Sequence, residues 1–499
     1  MEPTFETKKI RYLQEILHKT VRREETAETV VPDGEPDPER VLACSANAFL
    51  RSKECRTGRA ELSGGIQADV TYLCAGERQP RSLSVYLPFS VNLEDTMLEP
   101  ESKLKVCMFV RGADARITHS RRIQTRVSLV LTVRAYAETE TSILCPENVP
   151  EVLQMKTVVY PMLLPVDYAE TTIHVDEDIL LPSGDASSAV VLLCTIEPIL
   201  TESRVAGDKA VFQGDLRLHI LYQSGGETPS TYERKIPFSQ YCTLNEVYEN
   251  ADADFCIVLT GCEFRGGANA DGTLSVDADL LVQCTVYDRV PVPICEDAYA
   301  VYGVWEPEWR EYTFRDRLDL QSLGSMMQES ADITAASVTD VITFCDNPEM
   351  ERMENTVRIS VPVTVQILYY DTNGELQRCI LHGKPETEMQ LAQSASCEAI
   401  AAPGETAVQL TGAGISVSCP LRITAECCTD QAYRSICGGK LSEETEPEKR
   451  PAVILKSASA GESLWKLAKQ YRSTAEKIAR ANGISGESLQ EPMTVLIPM

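Results

Sequence analysis

The sequence predicts a mainly β protein: three tandem β-rich units of sandwich or barrel type, followed by a small unit that reads strand, helix, helix, strand. Three observations carry this. A strand with apolar residues at every second place, Leu216, Leu218, Ile220 and Tyr222, recurs 150 residues earlier and 147 residues later. Each copy runs into residues that tolerate positive φ, Gly76-Glu77, Gly225-Gly226 and Asn373-Gly374, which let the chain double back. And after residue 450 the period-2 alternation gives way to helical spacing.

The earlier copy starts at Gly64 and carries Ile66, Ala68, Val70 and Tyr72; the later one starts at Val361 and carries Val363, Val365, Ile367 and Tyr369. Such alternation predicts a strand with one face buried. The recurrence extends well beyond the strand. Pro32 and Cys44 return at Pro182 and Cys194, Pro88-Phe89 at Pro237-Phe238, and Cys107 at Cys256. The third copy keeps the central hairpin and loses the Pro-Phe element. These spacings place the units at residues 1–150, 151–304 and 305–440. A period near 150 residues suits independent domains better than a thin solenoid.

At 499 residues, with 43% hydrophobic residues, the chain can bury real cores. A formal charge of −27 argues against a general binder of nucleic acid or anionic lipid, both of which are negative. The amino terminus is charged throughout and lacks the apolar stretch of a secretory signal, and apolar runs such as residues 189–194 are too short to span a bilayer. The expectation is a cytoplasmic protein without direct membrane insertion. The eighteen cysteines are spread along the chain with no CxxC pair, and Cys194, Cys256 and Cys284 sit in strand-like apolar contexts. Buried thiols are therefore expected over disulfides or metal ligands, and no metal or cofactor is expected.

Residues 8–18 leave two readings open. Ile10, Leu13, Ile16 and Leu17 suit a helix, and the same stretch can open the first β unit. Residues 438–450, GGKLSEETEPEKR, bury almost nothing and predict a solvated linker, with the stretch 441–452 separating the third unit from the last.

In residues 453–499, Ser463 is placed to cap a helix carrying Leu464, Trp465, Leu467, Ala468 and Tyr471. A second helix opens at Ser473-Thr474-Ala475-Glu476, which has capping-box spacing, and stops at Asn482-Gly483. Trp465, Leu467 and Tyr471 read as helix core rather than as sugar-stacking rings. Six Lys/Arg against four Glu make this unit +2, and the remainder −29. A basic tip on an acidic body favours an acidic polymer or protein as its ligand.

The run AGESLWKLAKQY, then IARANGI, then VLIP resembles a LysM domain over nearly all of residues 453–499. LysM domains bind N-acetylglucosamine polymers such as peptidoglycan in a shallow groove between two loops. The resemblance places that groove at Gly461, Glu462, Ser463 and Leu464 on one side and Asn482, Gly483, Ile484 and Ser485 on the other. Where the family has aspartate, threonine, tyrosine and PGQ, this chain has Glu462, Ser463, Lys456 and Glu491-Pro492-Met493.

The β units resemble the DUF3794 repeat of sporulating Firmicutes, found with a terminal LysM domain in clostridial SipL-like proteins. The likeness is carried by Pro32, Val41-Leu42, residues 64–72 and Pro88-Phe89-Ser90, and again by Pro182, residues 214–222 and Pro237-Phe238-Ser239. It implies a morphogenetic scaffold of the spore envelope, made in the mother cell and held at the forespore surface. Its implied partner is a coat-basement ATPase of the SpoIVA type or another spore-coat protein. In such relatives the LysM unit can serve protein binding, and an anchor on peptidoglycan is the alternative.

The sequence has no GxxxxGK[ST], GxSxG or HExxH pattern. Asp176-Glu177-Asp178 reads as a solvated strand end, and His219 and His382 as strand residues without an obvious partner. A non-catalytic protein is expected.

Overall fold

The computed structural model describes residues 5–145, 149–182, 189–225, 228–266, 273–412, 414–442 and 451–499. These residues form almost only antiparallel strands, and among them no sheet closes into a barrel.

The first group comprises β1 (Glu6–Val30), β2 (Pro38–Arg56), β3 (Arg59–Cys74), β4 (Pro80–Glu94), β5 (Lys103–His119) and β6 (Arg122–Cys145). Its first strand pairs with its last and the last with β5, giving the sheet β1-β6-β5, while β2-β3-β4 form a second sheet. The two sheets share one core, with Leu17, Leu62, Val70, Val91, Val106 and Leu131 all buried.

The same pairing order follows in β7 (Leu153–Leu180), β8 (Val190–Gln223), β9 (Ser230–Tyr248), β10 (Asp252–Gly266) and β11 (Thr273–Ala300), as sheets β10-β11-β7 and β8-β9. Here β8 bends at Gly207, whose φ is 65°, and does the work of β2 and β3 together.

The third group holds β12 (Val304–Ala331), β13 (Ala335–Cys345), β14 (Glu349–Arg352), β15 (Thr356–Ser360), β16 (Val363–Asp371), β17 (Leu376–Gly383), β18 (Glu386–Gln390), β19 (Ala395–Pro403), β20 (Ala407–Thr411) and β21 (Gly414–Ser442). It again pairs first with last, as β12-β21-β19 with β20 beside β21, and sets β13-β16-β17 and β14-β15-β18 alongside.

Local detail shows why these stretches fold alike. Gly64 lies opposite Phe89, and Gly214 opposite Phe238. A Cβ on Gly64 would meet the Phe49 carbonyl oxygen at 2.2 Å and the Phe89 ring at 2.4 Å; on Gly214 it would meet the Ile199 carbonyl oxygen at 2.5 Å and the Phe238 ring at 2.6 Å. The aromatic ring fills the space above the glycine. In the third group glycine and phenylalanine are both gone: Val361 is buried there and its own side chain fills the gap. Tyr72, Tyr222 and Tyr369 are all buried near the hairpin ends, and Gly76, Gly225 and Gly374 turn with φ of 78°, 52° and 78°. Gly226 lies outside the described residues.

Residues 8–18 belong to β1, so the strand reading holds. The pairing of the first strand with the last skips one residue at Ile16, at Val166 and at Leu318, the same place in each group. Such bulges bend a strand and increase its twist. Beyond them the paired ends leave their own cores and join: residues 6–15 with 136–145, 153–165 with 287–300, and 304–317 with 428–442. These three ribbons bury Ile10, Ile143, Met162, Ile294, Tyr312 and Phe314 against one another and form a stem. Residues 438–442, expected in a linker, close this stem as part of β21, with the Trp305 indole over Gly439; residues 443–450 lie outside the described residues.

Around the centre, residues at matching register meet. Lys105 faces Asp254 at 2.6 Å, and the neighbouring Cys107 and Cys256 are joined in a disulfide. The expectation of free thiols fails at this pair because the fold brings the two matching positions together, with Cα atoms 5.9 Å apart. The other sixteen cysteines are free thiols, Cys194 and Cys284 buried among them.

Candidate functional site

The carboxy-terminal unit comprises β22 (Val453–Ala458), α1 (Leu464–Tyr471), α2 (Ala475–Asn482) and β23 (Met493–Pro498), with the two strands antiparallel. Leu464, Leu467, Ile478, Val495 and Ile497 form its core. Ser463 takes the N-cap position of α1 without a side-chain cap bond. In α2 the capping box is not made as expected. Thr474 is the cap, accepting the Lys477 amide at 3.2 Å, while Ser473 turns inward and its hydroxyl donates to the Pro498 carbonyl. Glu476 pairs instead with Arg480 along the helix. Gly483 stops α2 in the left-handed region at φ 65°.

Backbone pairing ties the first expected side of the groove, residues 461–464, to residues 487–489 rather than to residues 482–485. The Gly461 amide donates to the Leu489 carbonyl at 2.8 Å, the Leu489 amide to the Glu462 carbonyl at 3.0 Å, and the Leu464 amide to the Glu487 carbonyl at 2.9 Å. Ser463 and Ser488 bridge. Gly461, Gly483 and Ser485 are exposed, and Glu462, Ser463 and Ile484 half-buried. Two of the expected groove residues have structural duties. The Leu464 side chain lies in the core, and the Asn482 amide staples helix to strand by donating to Ile478 and Leu496 carbonyls at 2.7 and 2.6 Å and accepting the Leu496 amide at 2.7 Å. The Glu462 carboxylate accepts the Ser459 amide at 3.1 Å.

The unit docks on the end of the stem. The Trp465 indole N–H donates to Asp297 at 2.9 Å, Lys469 pairs with the same carboxylate at 2.6 Å, and Trp465 meets the Tyr299 ring edge-on at 4.9 Å. The Tyr299 hydroxyl donates to the Ser473 carbonyl at 2.8 Å, and Val301 joins the same core. Burial, and then the nearby Asp297 charge, push the Tyr299 hydroxyl pKa well up, so it stays a donor. Leu467 is buried and Trp465 and Tyr471 pack partly buried against the same core, as expected, and Trp465 in addition forms the dock on the stem. Sequence reasoning missed Asp297 and Tyr299, because nothing in an ordinary strand end marks it as a receptor for a segment 170 residues away.

Elsewhere, His219 acquires partners that the sequence did not reveal: its ring nitrogens meet Asp340 at 2.7 Å and Glu233 at 3.3 Å. His382 meets the Thr364 hydroxyl at 3.1 Å. Asp176 and Asp178 are exposed, as a solvated strand end requires. Among the described residues one group has metal-ligating chemistry. His174, Asp277 and Asp279 place their ligand atoms within 4.8 Å of one another on the outer face of β7 and β11. At the matching register of the first group Glu24 pairs with Arg126, so the same surface spot there carries an ordinary ion pair.

A strand-built body with a LysM-like fold seated on its stem defines the class of protein. Two family models match the chain: the SipL, SPOCS domain over residues 189–265, within the second group, and the LysM domain over residues 459–498. The chain is thus a sporulation-related protein carrying a peptidoglycan-binding type of module, as the resemblance to SipL-like proteins with a terminal LysM domain implied. No curated protein and no solved structure matches it. No helix among the described residues is long and apolar enough to cross a membrane.

Proposed function

We propose that this chain is a non-catalytic morphogenetic scaffold of the spore envelope, built from three copies of one β module, whose LysM unit docks a coat-assembly partner at the forespore surface. The modules would span residues 1–150, 151–304 and 305–440. The partner would be a coat-basement ATPase of the SpoIVA type or another coat protein, met in the mother-cell cytoplasm. The observation that carries the reading is the dock itself: Asp297 and Tyr299 fix α1 to the stem while Gly461, Gly483 and Ser485 stay at the surface. A module held this way presents its loops at a set distance and angle from a rigid body, which suits a spacer and connector.

Deleting residues 453–499 is expected to abolish recruitment to the forespore while the β body stays folded by circular dichroism; a truncated protein that localises normally would remove the basis of the reading. The LysM match favours one alternative, an anchor on N-acetylglucosamine polymers. Pull-down with insoluble peptidoglycan separates the two. Retention that is lost in Ser485→Tyr, a change that fills the exposed groove loop without touching the core, would favour the anchor.

A further inference from the structure

The third group differs from the other two at one pair of facing positions. Leu104 lies opposite Ala135 in the first group, and Ala253 opposite Val286 in the second. Those are plain apolar pairs. In the third group the same place holds Cys397 on β19 opposite Cys427 on β21. Residues directly opposite on an antiparallel pair point to one face with Cβ atoms roughly 4.5–5.5 Å apart, so the two thiols are neighbours.

A third sulfur completes the set. The Cys397 thiol donates to the thioether of Met389, on β18, at 3.9 Å. Met389 and Cys427 are buried, and the half-buried Cys397 packs against the same core. Burial, and then Cys427, push the Cys397 thiol up to about 12, and burial raises Cys427 as well. Both thiols therefore rest in the core uncharged until a cation takes the place of their protons.

A buried thiol is ordinarily a small apolar side chain and nothing more. Three features set this trio apart. Alanine, valine and leucine fill the matching places in the other groups, so packing there does not ask for sulfur. The sulfurs come from two different sheets, β14-β15-β18 and β12-β21-β19. And the spacing suits an ion: with metal–sulfur bonds of about 2.3 Å, three sulfurs around a trigonal centre lie roughly 4 Å apart, beside the 3.9 Å between Cys397 and Met389. Ligand type then selects the ion. Two thiolates with a thioether are the soft set that copper(I) prefers, while His174, Asp277 and Asp279 in the second group offer harder nitrogen and oxygen donors.

We propose that Met389, Cys397 and Cys427 form a site for one copper(I) ion, which bolts the two sheets of the third group together. The ion displaces the thiol protons to solvent, and no electron is transferred.

The test uses the full chain, reduced and free of metal, titrated anaerobically with copper(I) in competition with the chromogenic chelator bicinchoninate. Wild type is expected to withhold one more copper(I) from the chelator than Cys397→Ala or Cys427→Ala does. Ala253 and Ala135 stand at these two places in the other groups, so both variants should fold, which circular dichroism checks. Met389→Leu keeps the bulk of the side chain and should weaken the site by about tenfold or more, since even an outer-shell partner is worth about 10–100-fold. Cys437→Ser, on the stem, should leave the site as it is. One equivalent of copper(I) should also raise the unfolding midpoint of the wild type and leave that of Cys427→Ala in place. Equal retention of copper by the wild type and both alanine variants overturns the proposal, and so does undiminished affinity in Met389→Leu. Zinc(II) held as tightly as copper(I) would overturn the assignment to a soft monovalent ion.

Discussion

The seam between the first and second groups and the seam between the second and third use the same positions with different chemistry. Asp69, His219 and Gln366 occupy one register place in the three central strands. Asp69 accepts the Cys194 amide, His219 reaches Asp340 at 2.7 Å, and Gln366 donates to the Ala113 carbonyl at 2.9 Å. Nearer the centre, Lys105, Asp254 and Glu398 share another place, and Arg134, Thr285 and Glu426 the one across from it. Three identical copies would set like charges against each other there. Instead Lys105 pairs with Asp254, and Arg134 with Glu426, which Arg317 also approaches at 3.0 Å. Joining the copies in one chain lets each seam be fitted separately: the first is closed by an ion pair that buries Lys105, a disulfide and Asn47, and the second is held by a histidine beside a cavity.

The sharpest way to break the contrast is at the first seam. Lys105 is 4% exposed and donates both to the Asp254 carboxylate and to its backbone carbonyl at 2.9 Å. Burial would raise the Asp254 pKa, but Lys105, Arg317 and Arg134 outweigh it and hold the carboxyl below its usual range. Lys105→Ala takes away the nearest cation of a carboxylate that is 31% exposed and still faces Arg317 and Arg134, so the cost should fall at the lower end of the roughly 3–5 kcal/mol for removing one partner of a buried pair. Chemical denaturation should show the loss. A change under 1 kcal/mol, the scale of a surface pair, would mean that this seam is no tighter than the surface.

The second seam should be the one that responds to pH. Burial would lower the His219 pKa, but hydrogen bonds to Asp340 and Glu233 more than offset it and bring it to about 9. With the folded pKa above the unfolded value of 6.5, the imidazolium contributes full stability below pH 6.5 and loses it as pH rises through about 9. The loss is roughly 3 kcal/mol. Unfolding midpoints followed from pH 6 to 10 should fall over that window in the wild type and stay nearly level in His219→Gln. A variant as steep as the wild type would assign the slope to other groups.

Alternation, turn glycines and the Gly–Phe pairs made the three strand groups and the terminal βααβ unit legible in the sequence, because each is a local pattern with a local cause. The stem was not legible. Ile10, Leu13, Ile16 and Leu17 fit a helix as well as a strand, and only the pairing of this stretch with residues 135–141, far along the chain, decides between them. His219 reads as an isolated polar residue because its nearer partner, Asp340, comes from another group. In the LysM groove the residue types were visible, but Leu464 and Asn482 turned out to serve the fold, since an amide side chain that can bind a ligand can equally staple a helix to a strand.

The seam between the stem and the LysM unit should be the weakest of the three, and it marks the lower end of the scale. Its polar part converges on one carboxylate. Lys469 is 46% exposed, so its pair with Asp297 contributes under about 1 kcal/mol. The Trp465 N–H bond to a charged acceptor adds about 1.5–3 kcal/mol at most. Asp297→Ala removes both and leaves the Tyr299 stacking and the Ser473 bond in place. The LysM core does not include Asp297, so the unit should stay folded while its docked fraction falls. Fluorotryptophan NMR reads this directly: the Trp465 resonance should split or shift toward a solvent-exposed position, with the resonances of Trp305 and Trp309 unmoved. If Trp465 is unchanged, the contacts of Tyr299 and Val301 alone hold the unit, and the carboxylate is a bystander. If all three resonances move, the dock helps to order the stem, and this seam belongs with the other two in strength.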